Sequence, residues 1–184
     1  PSCYFKERVK DILEVVDENV KVSPSGGVNT DLFNLEEKSS GRNEFVIGYA
    51  SSLTMGKGVD ILEGVLKSYV YLKKKTSKII SYRVIKYGRD ASCLLNLFAK
   101  EEIPLSVVDK CPKSLMPNFY HSVDILLMSS KSESLGLVAL EAMSCGIPVI
   151  TYDICAFSEF VISGVSGELV KYTKDKKRDV EEFE

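Results

Sequence analysis

A single histidine, His121, serves the whole 184-residue chain, and the five cysteines stand far apart with no Cys-x-x-Cys pair. A zinc ribbon or a disulfide scaffold needs paired cysteines, so neither is expected, and a reducing cytoplasm is the compartment that fits. A Ser-His-Asp hydrolase or a histidine metal site would have to use His121. No nucleophile elbow accompanies it in "NFYHSVD", so a packing or helix-end role is the better reading. Neither sign of charge dominates: 24 basic and 26 acidic side chains give a net charge of −2, too little to draw the molecule onto nucleic acid or an anionic membrane. No apolar run is long enough to span a bilayer, and no leader pattern opens the chain. The chain begins Pro1-Ser2-Cys3 without a methionine and ends in "KDKKRDVEEFE", which reads as the start of a helix. We therefore expect one soluble domain, residues 1–184, cut from something longer.

The apolar periodicity then sets out an alternation. "FKERVKDILEVV" (5–16) places Val9, Ile12, Leu13 and Val16 at helical spacing. "FVIGYA" (45–50) reads as a buried strand, and 58–75 as one helix with Val59, Leu62, Leu66 and Tyr69 on a face and lysines at its end. Strands follow at 81–87, at "LSVVD", at "VDILLMSS" and at "PVITYD", with helices at "ASCLLNLFAK", "KSLMPNFYHS" and "LGLVALEAMSC" between them. Strands alternating with helices imply right-handed crossovers and a doubly wound, Rossmann-like parallel α/β sheet covered on both faces. In such a sheet ligands sit beyond the carboxyl ends of the strands. The loops 51–57, 88–91, 109–113, 129–134 and 153–158 gather there.

Two glycine fingerprints are missing from those loops. "SSLTMGKG" (51–58) has Ser51 and Gly58 where a Walker P-loop needs Gly and Ser or Thr, and "KYGRDAS" offers one glycine where a dinucleotide fold needs three. What remains is Lys57, between Gly56 and Gly58, at the start of a helix. A lysine there opposes the positive end of the helix dipole, and a bound anion would relieve the conflict. A solvated lysine in a turn is the plainer alternative.

"SESLGLVALEAMSCGIPV" (132–149) carries Glu133 and Glu141. Ser132 or Ser134 can cap the helix, and Gly136 lets a ligand approach exposed backbone N–H groups. If the segment were helical throughout, the two glutamates would lie about 12 Å apart along it, placed to accept hydroxyls at the two ends of a ligand with a phosphate between. Glu141 is the sharper candidate, because its neighbours suggest a helix buried on both sides, and a buried carboxylate must be satisfied. The plainer alternative is one glutamate on the dipole and one on the surface. Cys145 and Cys155 read as small hydrophobes, and the tail as a solvated segment.

"LMPNFYHSVDILLMSSKSESLGLVALEAMSCGIPVITYD" with "SEFVISGVSGELV" resembles the C-terminal, donor-binding domain of GT-B retaining glycosyltransferases of the group 1 (family 4) type. The Glu-x7-Glu spacing is that family's hallmark. "VSPSGGVNTDLF" (22–33) is similar to its opening loop, and "GKG" (56–58) to its phosphate-lysine turn. The resemblance implies that Glu133 meets the donor sugar hydroxyls and Glu141 the ribose of a nucleotide-diphosphate sugar. It places Lys57 on the diphosphate, the backbone of Ser134, Leu135, Gly136 and Leu137 on sugar and phosphates, and the loops near Gly88 and Val108 around the base. It implies transfer of a hexosyl group with retention and without a metal or other cofactor. The acceptor, a saccharide, lipid or other molecule, would be met by an N-terminal domain outside this chain, so the fragment alone is expected to be inactive.

The sequence departs from that pattern at Ser52, where the family carries an arginine, at Lys86 within a glycine pair, and at Cys155-Ala156 in place of Gly-Gly. Altered diphosphate handling follows, with Lys86, Arg89 or the other domain as compensation. A GT-B sugar-nucleotide epimerase or phosphorylase, and a non-catalytic nucleotide-sugar-binding module, stay open beside the transferase. So does peripheral membrane contact through "LKKKTSK".

Overall fold

The computed structural model describes residues 2–23, 27–36, 42–86 and 92–183. Six short segments form its strands: β1 (Glu44–Tyr49), β2 (Ile79–Lys86), β3 (Leu105–Asp109), β4 (Ile125–Met128), β5 (Val149–Tyr152) and β6 (Gly167–Val170). They pair in the order β3-β2-β1-β4-β5-β6, every pair parallel. Between and around them run α1 (Cys3–Leu13), α2 (Val59–Lys67), α3 (Tyr69–Lys75), α4 (Ser92–Lys100), α5 (Met116–His121), α6 (Leu137–Ser144) and α7 (Lys176–Phe183). This is the doubly wound sheet that the alternation implies.

Because side chains alternate across a strand, the sheet feeds two cores. On one face Val46, Leu126, Met128 and Val149 pack with Tyr120, Ala139 and Ala142 of α5 and α6. On the other, Tyr49, Tyr82, Val84 and Leu127 pack with Ile61, Leu62 and Leu66 of α2, Leu94 and Phe98 of α4, and Phe183 of α7. Each fully buried Leu or Ile contributes about 1.5–3 kcal/mol. The strand order reverses between β1 and β4, and the loops leaving these two neighbours part to opposite faces.

Four elements differ from the sequence reading. The single helix expected over 58–75 is two, because the chain turns at Ser68 (φ −83°, ψ 0°), which lets Tyr69 stay buried at the start of α3. Helix α6 starts at Leu137, so Glu133 lies in the preceding loop and no serine caps it; the cap is Gly136 in the left-handed region, without a side chain to donate or accept. The tail is not a solvated segment. Its helix α7 lies on α2, with Val180 against Gly64, where a Cβ would come within 2.2 Å, and with buried Asp179 accepting from the amide (2.7 Å) and hydroxyl (2.6 Å) of Thr173. Strand β6, finally, has no counterpart in the expected elements.

Helix α1 is present, held at its start by Glu159, whose carboxylate accepts from the amides of Cys3 (3.1 Å) and Tyr4 (2.7 Å). Its apolar side faces outward: Ile12 and Leu13 are 67% and 63% exposed. Cys145 and Cys155 are buried as expected. His121 ends α5, with Nε2 2.9 Å from the Asn34 carbonyl and Nδ1 3.1 Å from a Glu36 carboxylate oxygen. Among the described residues no helix is long and apolar enough to cross a membrane.

Candidate functional site

The first half of the site follows β1. After Tyr49 the chain passes Ser51 and Ser52, makes a 3-10 turn at Met55–Lys57, and enters α2 through Gly58. Gly58 has φ +72°, and a Cβ there would lie 1.9 Å from the Ser129 carbonyl oxygen, so backbone conformation and close approach both require glycine. The turn is tied down from below. The Tyr49 hydroxyl donates to the Lys57 carbonyl (2.8 Å), and the Ser129 hydroxyl donates to the Gly58 carbonyl (2.8 Å). Burial pushes the Tyr49 phenol up to about 12, so it remains a donor at any physiological pH.

The second half follows β4. The Lys131 amide donates to the Gly56 carbonyl (3.0 Å), which docks the loop after β4 onto the Lys57 turn. Two residues later Glu133 meets Lys57, Nζ to Oε1 at 2.5 Å, with both side chains largely shielded. Gly136, φ +75°, then turns the chain into α6 beneath the Phe157 ring, which a Cβ would approach to 2.5 Å. The first intrahelical bond of α6 is from the Ala139 amide to the Gly136 carbonyl. The amides ahead of it are those a helix start leaves without an internal acceptor, and they carry the positive end of the dipole.

Glu141 lies one turn further along α6 and is 8% exposed. The hydroxyl of wholly buried Tyr120 donates to its Oε2 at 2.9 Å. Its Oε1 lies 3.9 Å from Nζ of Lys113, an exposed lysine on the loop after β3. One oxygen is thus fixed from the core and the other lies 3.9 Å from an exposed cation.

Lys57, Lys113, Glu133, Gly136 and Glu141 line one cavity of about 440 Å³ beyond the carboxyl ends of β1 and β4. Of the residues singled out from the sequence, Lys57, Glu133, Ser134, Gly136, Leu137 and Glu141 all line it, while Leu135 does not. Val108 lies in a neighbouring groove of about 330 Å³, floored by Arg83 and Phe119, which meets the cavity at Cys111. Gly88, Arg89 and the Lys86 side chain lie outside what is described. Ser52, standing where the resemblance expects an arginine, does reach the cavity. Among the described lining residues the cations are therefore Lys57 and Lys113, balanced by Glu133 and Glu141. Among the described residues no cluster of three or more His, Cys, Asp or Glu side chains could hold a metal ion.

Sequence reasoning missed Tyr120, Lys113 and the two groups that anchor the lysine turn, Tyr49 and Ser129. Lys113 had a signal, since it stands in a loop at the ligand end of the sheet. Tyr120, 21 residues before Glu141, had none, for an apolar helix face hides a phenol that points at a carboxylate.

Comparison with known proteins bears on the fold and the family. A stretch of 65 residues is 37% identical to a D-inositol 3-phosphate glycosyltransferase of Streptosporangium roseum, and one of 62 residues is 39% identical to an uncharacterised 41.2 kDa protein in the cps region of Klebsiella pneumoniae. These stretches cover 35% and 34% of this chain but 15% and 17% of the relatives, so the chain matches a minor part of their length. Among solved structures, the pneumococcal O-GlcNAc transferase GtfA, in complex with UDP and GlcNAc, superposes with a TM-score of 0.71 at 22% identity, covering 95% of this chain and 35% of that one. Sucrose-phosphate synthase of Thermosynechococcus elongatus gives 0.74 at 18%, covering 99% and 46%. The C-terminal domain of a group 1 family glycosyl transferase, LpcC of Francisella tularensis, gives 0.64 at 22%, covering 85% and 86%. The fold is thus that of one domain of the GT-B glycosyltransferases. Residues 33–183, which include the whole sheet and every residue of the cavity, match the family model for glycosyl transferases group 1, and the chain belongs to that family.

Proposed function

We propose that this domain is the donor-binding half of a retaining glycosyltransferase that takes a sugar from a nucleotide-diphosphate sugar. One observation carries the reading: Lys57, Glu133 and Glu141 come from two different strand ends and meet in one cavity, at the point where the strand order reverses. In this reading Lys57 and the unpaired amides at the start of α6 take the diphosphate, and Glu133 accepts from the sugar hydroxyls. Glu141, oriented by Tyr120, accepts from the ribose, and the base lies toward Val108 and the loop containing Gly88. The acceptor oxygen bonds to the anomeric carbon as the bond from that carbon to the phosphate oxygen breaks, and the acceptor proton passes to the departing phosphate on the same face. Positive charge on the leaving group comes from lysine and helix amides, without a metal or other cofactor. The relatives' names and the UDP and GlcNAc bound by GtfA support the same donor chemistry.

The acceptor is met by a second domain, so this chain alone binds donor without efficient transfer, in the cytoplasm where its thiols stay reduced. Ser52 in the lining favours a second reading, a nucleotide-sugar-binding module without catalysis.

The test is calorimetric titration of the chain with UDP, GDP, ADP and their sugar conjugates, repeated on Lys57→Ala and Glu141→Ala. One nucleotide should bind, and each substitution should weaken it tenfold or more, about 1.4 kcal/mol. Absence of binding by all three at millimolar concentration refutes the donor-domain reading.

A further inference from the structure

Asp60 sits in the first turn of α2, three residues after Lys57, and is 7% exposed. Lys131 reaches across from the loop after β4 and places Nζ 2.8 Å from each of its carboxylate oxygens. Neither residue lines the cavity. The helix start favours a carboxylate at this place, but its burial makes an uncompensated charge costly, and a buried acid so placed draws any cation within reach.

Lys57 is the cation the chain brings nearest in sequence. The Lys131 amide donates to the carbonyl of Gly56, next to Lys57, so the loop that carries Lys131 and Glu133 lies against the lysine turn from which Asp60 follows. There are thus two lysines and two carboxylates in adjoining pairs. The observed pairing, Lys131 with Asp60 and Lys57 with Glu133, is the one that leaves Lys57 in the cavity.

We propose that Lys131 is a positioning residue: by neutralising buried Asp60 it stops that carboxylate from capturing Lys57 and keeps the Lys57 ammonium at the phosphate position of the cavity. This rests on the donor-binding reading, and it adds a residue pair that touches no part of the donor. A merely structural ion pair would tie the loop after β4 to α2, and its loss would leave Lys57 on Glu133, so the position of the Lys57 ammonium separates the two roles.

The two readings part in one experiment. The nucleoside diphosphate among UDP, GDP and ADP that binds the unaltered chain best is titrated into Lys131→Met, Lys131→Arg and Lys131→Met/Asp60→Asn, each well below its melting temperature. Lys131→Met should lose tenfold or more in affinity, while Lys131→Arg and the double variant should stay within threefold of the unaltered chain. A double variant as weak as Lys131→Met, or a Lys131→Met chain that binds normally, overturns the proposal. A crystal structure of Lys131→Met decides it without ligand: Lys57 Nζ should have left Glu133 for Asp60, and Lys57 still on Glu133 overturns the proposal. If Lys131→Met does not fold, Lys131→Gln, which keeps a hydrogen bond without the charge, goes through the same arms. Lys57→Ala separates the failures, since unchanged affinity there sinks the donor-binding reading while the crystal structure still decides the role of Lys131.

Discussion

Removing one oxygen atom, by Tyr120→Phe, should expose how much the site depends on a support that lies wholly in the core. The Tyr120 hydroxyl donates to Glu141 Oε2 at 2.9 Å, with the tyrosine fully buried and the glutamate nearly so. A hydrogen bond to a buried charged group is worth about 1.5–3 kcal/mol. Lys113 cannot replace it, being 69% exposed and 3.9 Å from the other oxygen. For a chain of this length each kcal/mol moves the melting temperature by about 2–4 °C, so the substitution should lower it by roughly 3–12 °C. Urea unfolding followed by circular dichroism measures the cost directly. Adding Glu141→Leu removes the stranded charge, so the double variant should be more stable than the sum of the single costs by about 1–3 kcal/mol. A cost below about 0.5 kcal/mol for Tyr120→Phe, or strict additivity in the pair, would refute the view that the phenol satisfies the carboxylate.

Gly58→Ala should disable the lysine turn, because it combines a left-handed residue, about 1–2 kcal/mol for an L side chain, with a Cβ 1.9 Å from the Ser129 carbonyl oxygen. Nucleotide titration should show at least a tenfold loss, and unchanged affinity would mean that the turn does not place Lys57. Burial first, and then Glu141 and Glu36, push the Cys145 thiol up from 9 to about 11. The native state therefore keeps its proton after the unfolded chain has lost one, and the contribution to stability falls as pH rises from about 9 to 11. Melting curves over that range should slope downward, and Cys145→Ala should reduce the slope; an identical slope in both chains would contradict the assignment.

Much of the sheet was legible because parallel strands buried on both faces are written as short unbroken apolar runs, as in Ile125–Met128 and Val149–Tyr152. Strand β6 lies at the sheet edge and opens Gly167-Glu168, with only Val170 buried, so it carries no such run. The break at Ser68 was hidden for the opposite reason. The helical spacing of Val59, Leu62, Leu66 and Tyr69 continues across it, and periodicity reports which residues are buried, not whether the axis between them is straight. The tail looked solvated because α7 is charged on most of its surface, while its docking rests on Asp179, Val180 and Phe183 and on the absence of a side chain at Gly64, more than a hundred residues away.

The site divides in the same way. A motif names the residues that face a ligand, whereas their partners come from chain segments about 70 residues apart, as Lys57 with Glu133 and Asp60 with Lys131 do. Those pairings carry the electrostatics. On the proposed reading the donor enters a cavity whose described charges already cancel, and its diphosphate brings further negative charge with Ser52, not an arginine, at the wall. Binding is then an exchange of partners: Lys57 leaves Glu133 for phosphate, and Glu133, freed, accepts the sugar hydroxyls. Each partner lost is replaced by another of the same kind, so the direct gain is small. The surplus must come from the α6 amides, which lack an acceptor within their helix and give up only water, and from Glu141, whose Oε1 lies 3.9 Å from an exposed lysine. Affinity should accordingly depend more on the start of α6 and on Glu141 than on the Lys57–Glu133 pair, and a Glu133→Gln chain should bind the nucleotide alone at least as well as the unaltered one, because its Lys57 is already released.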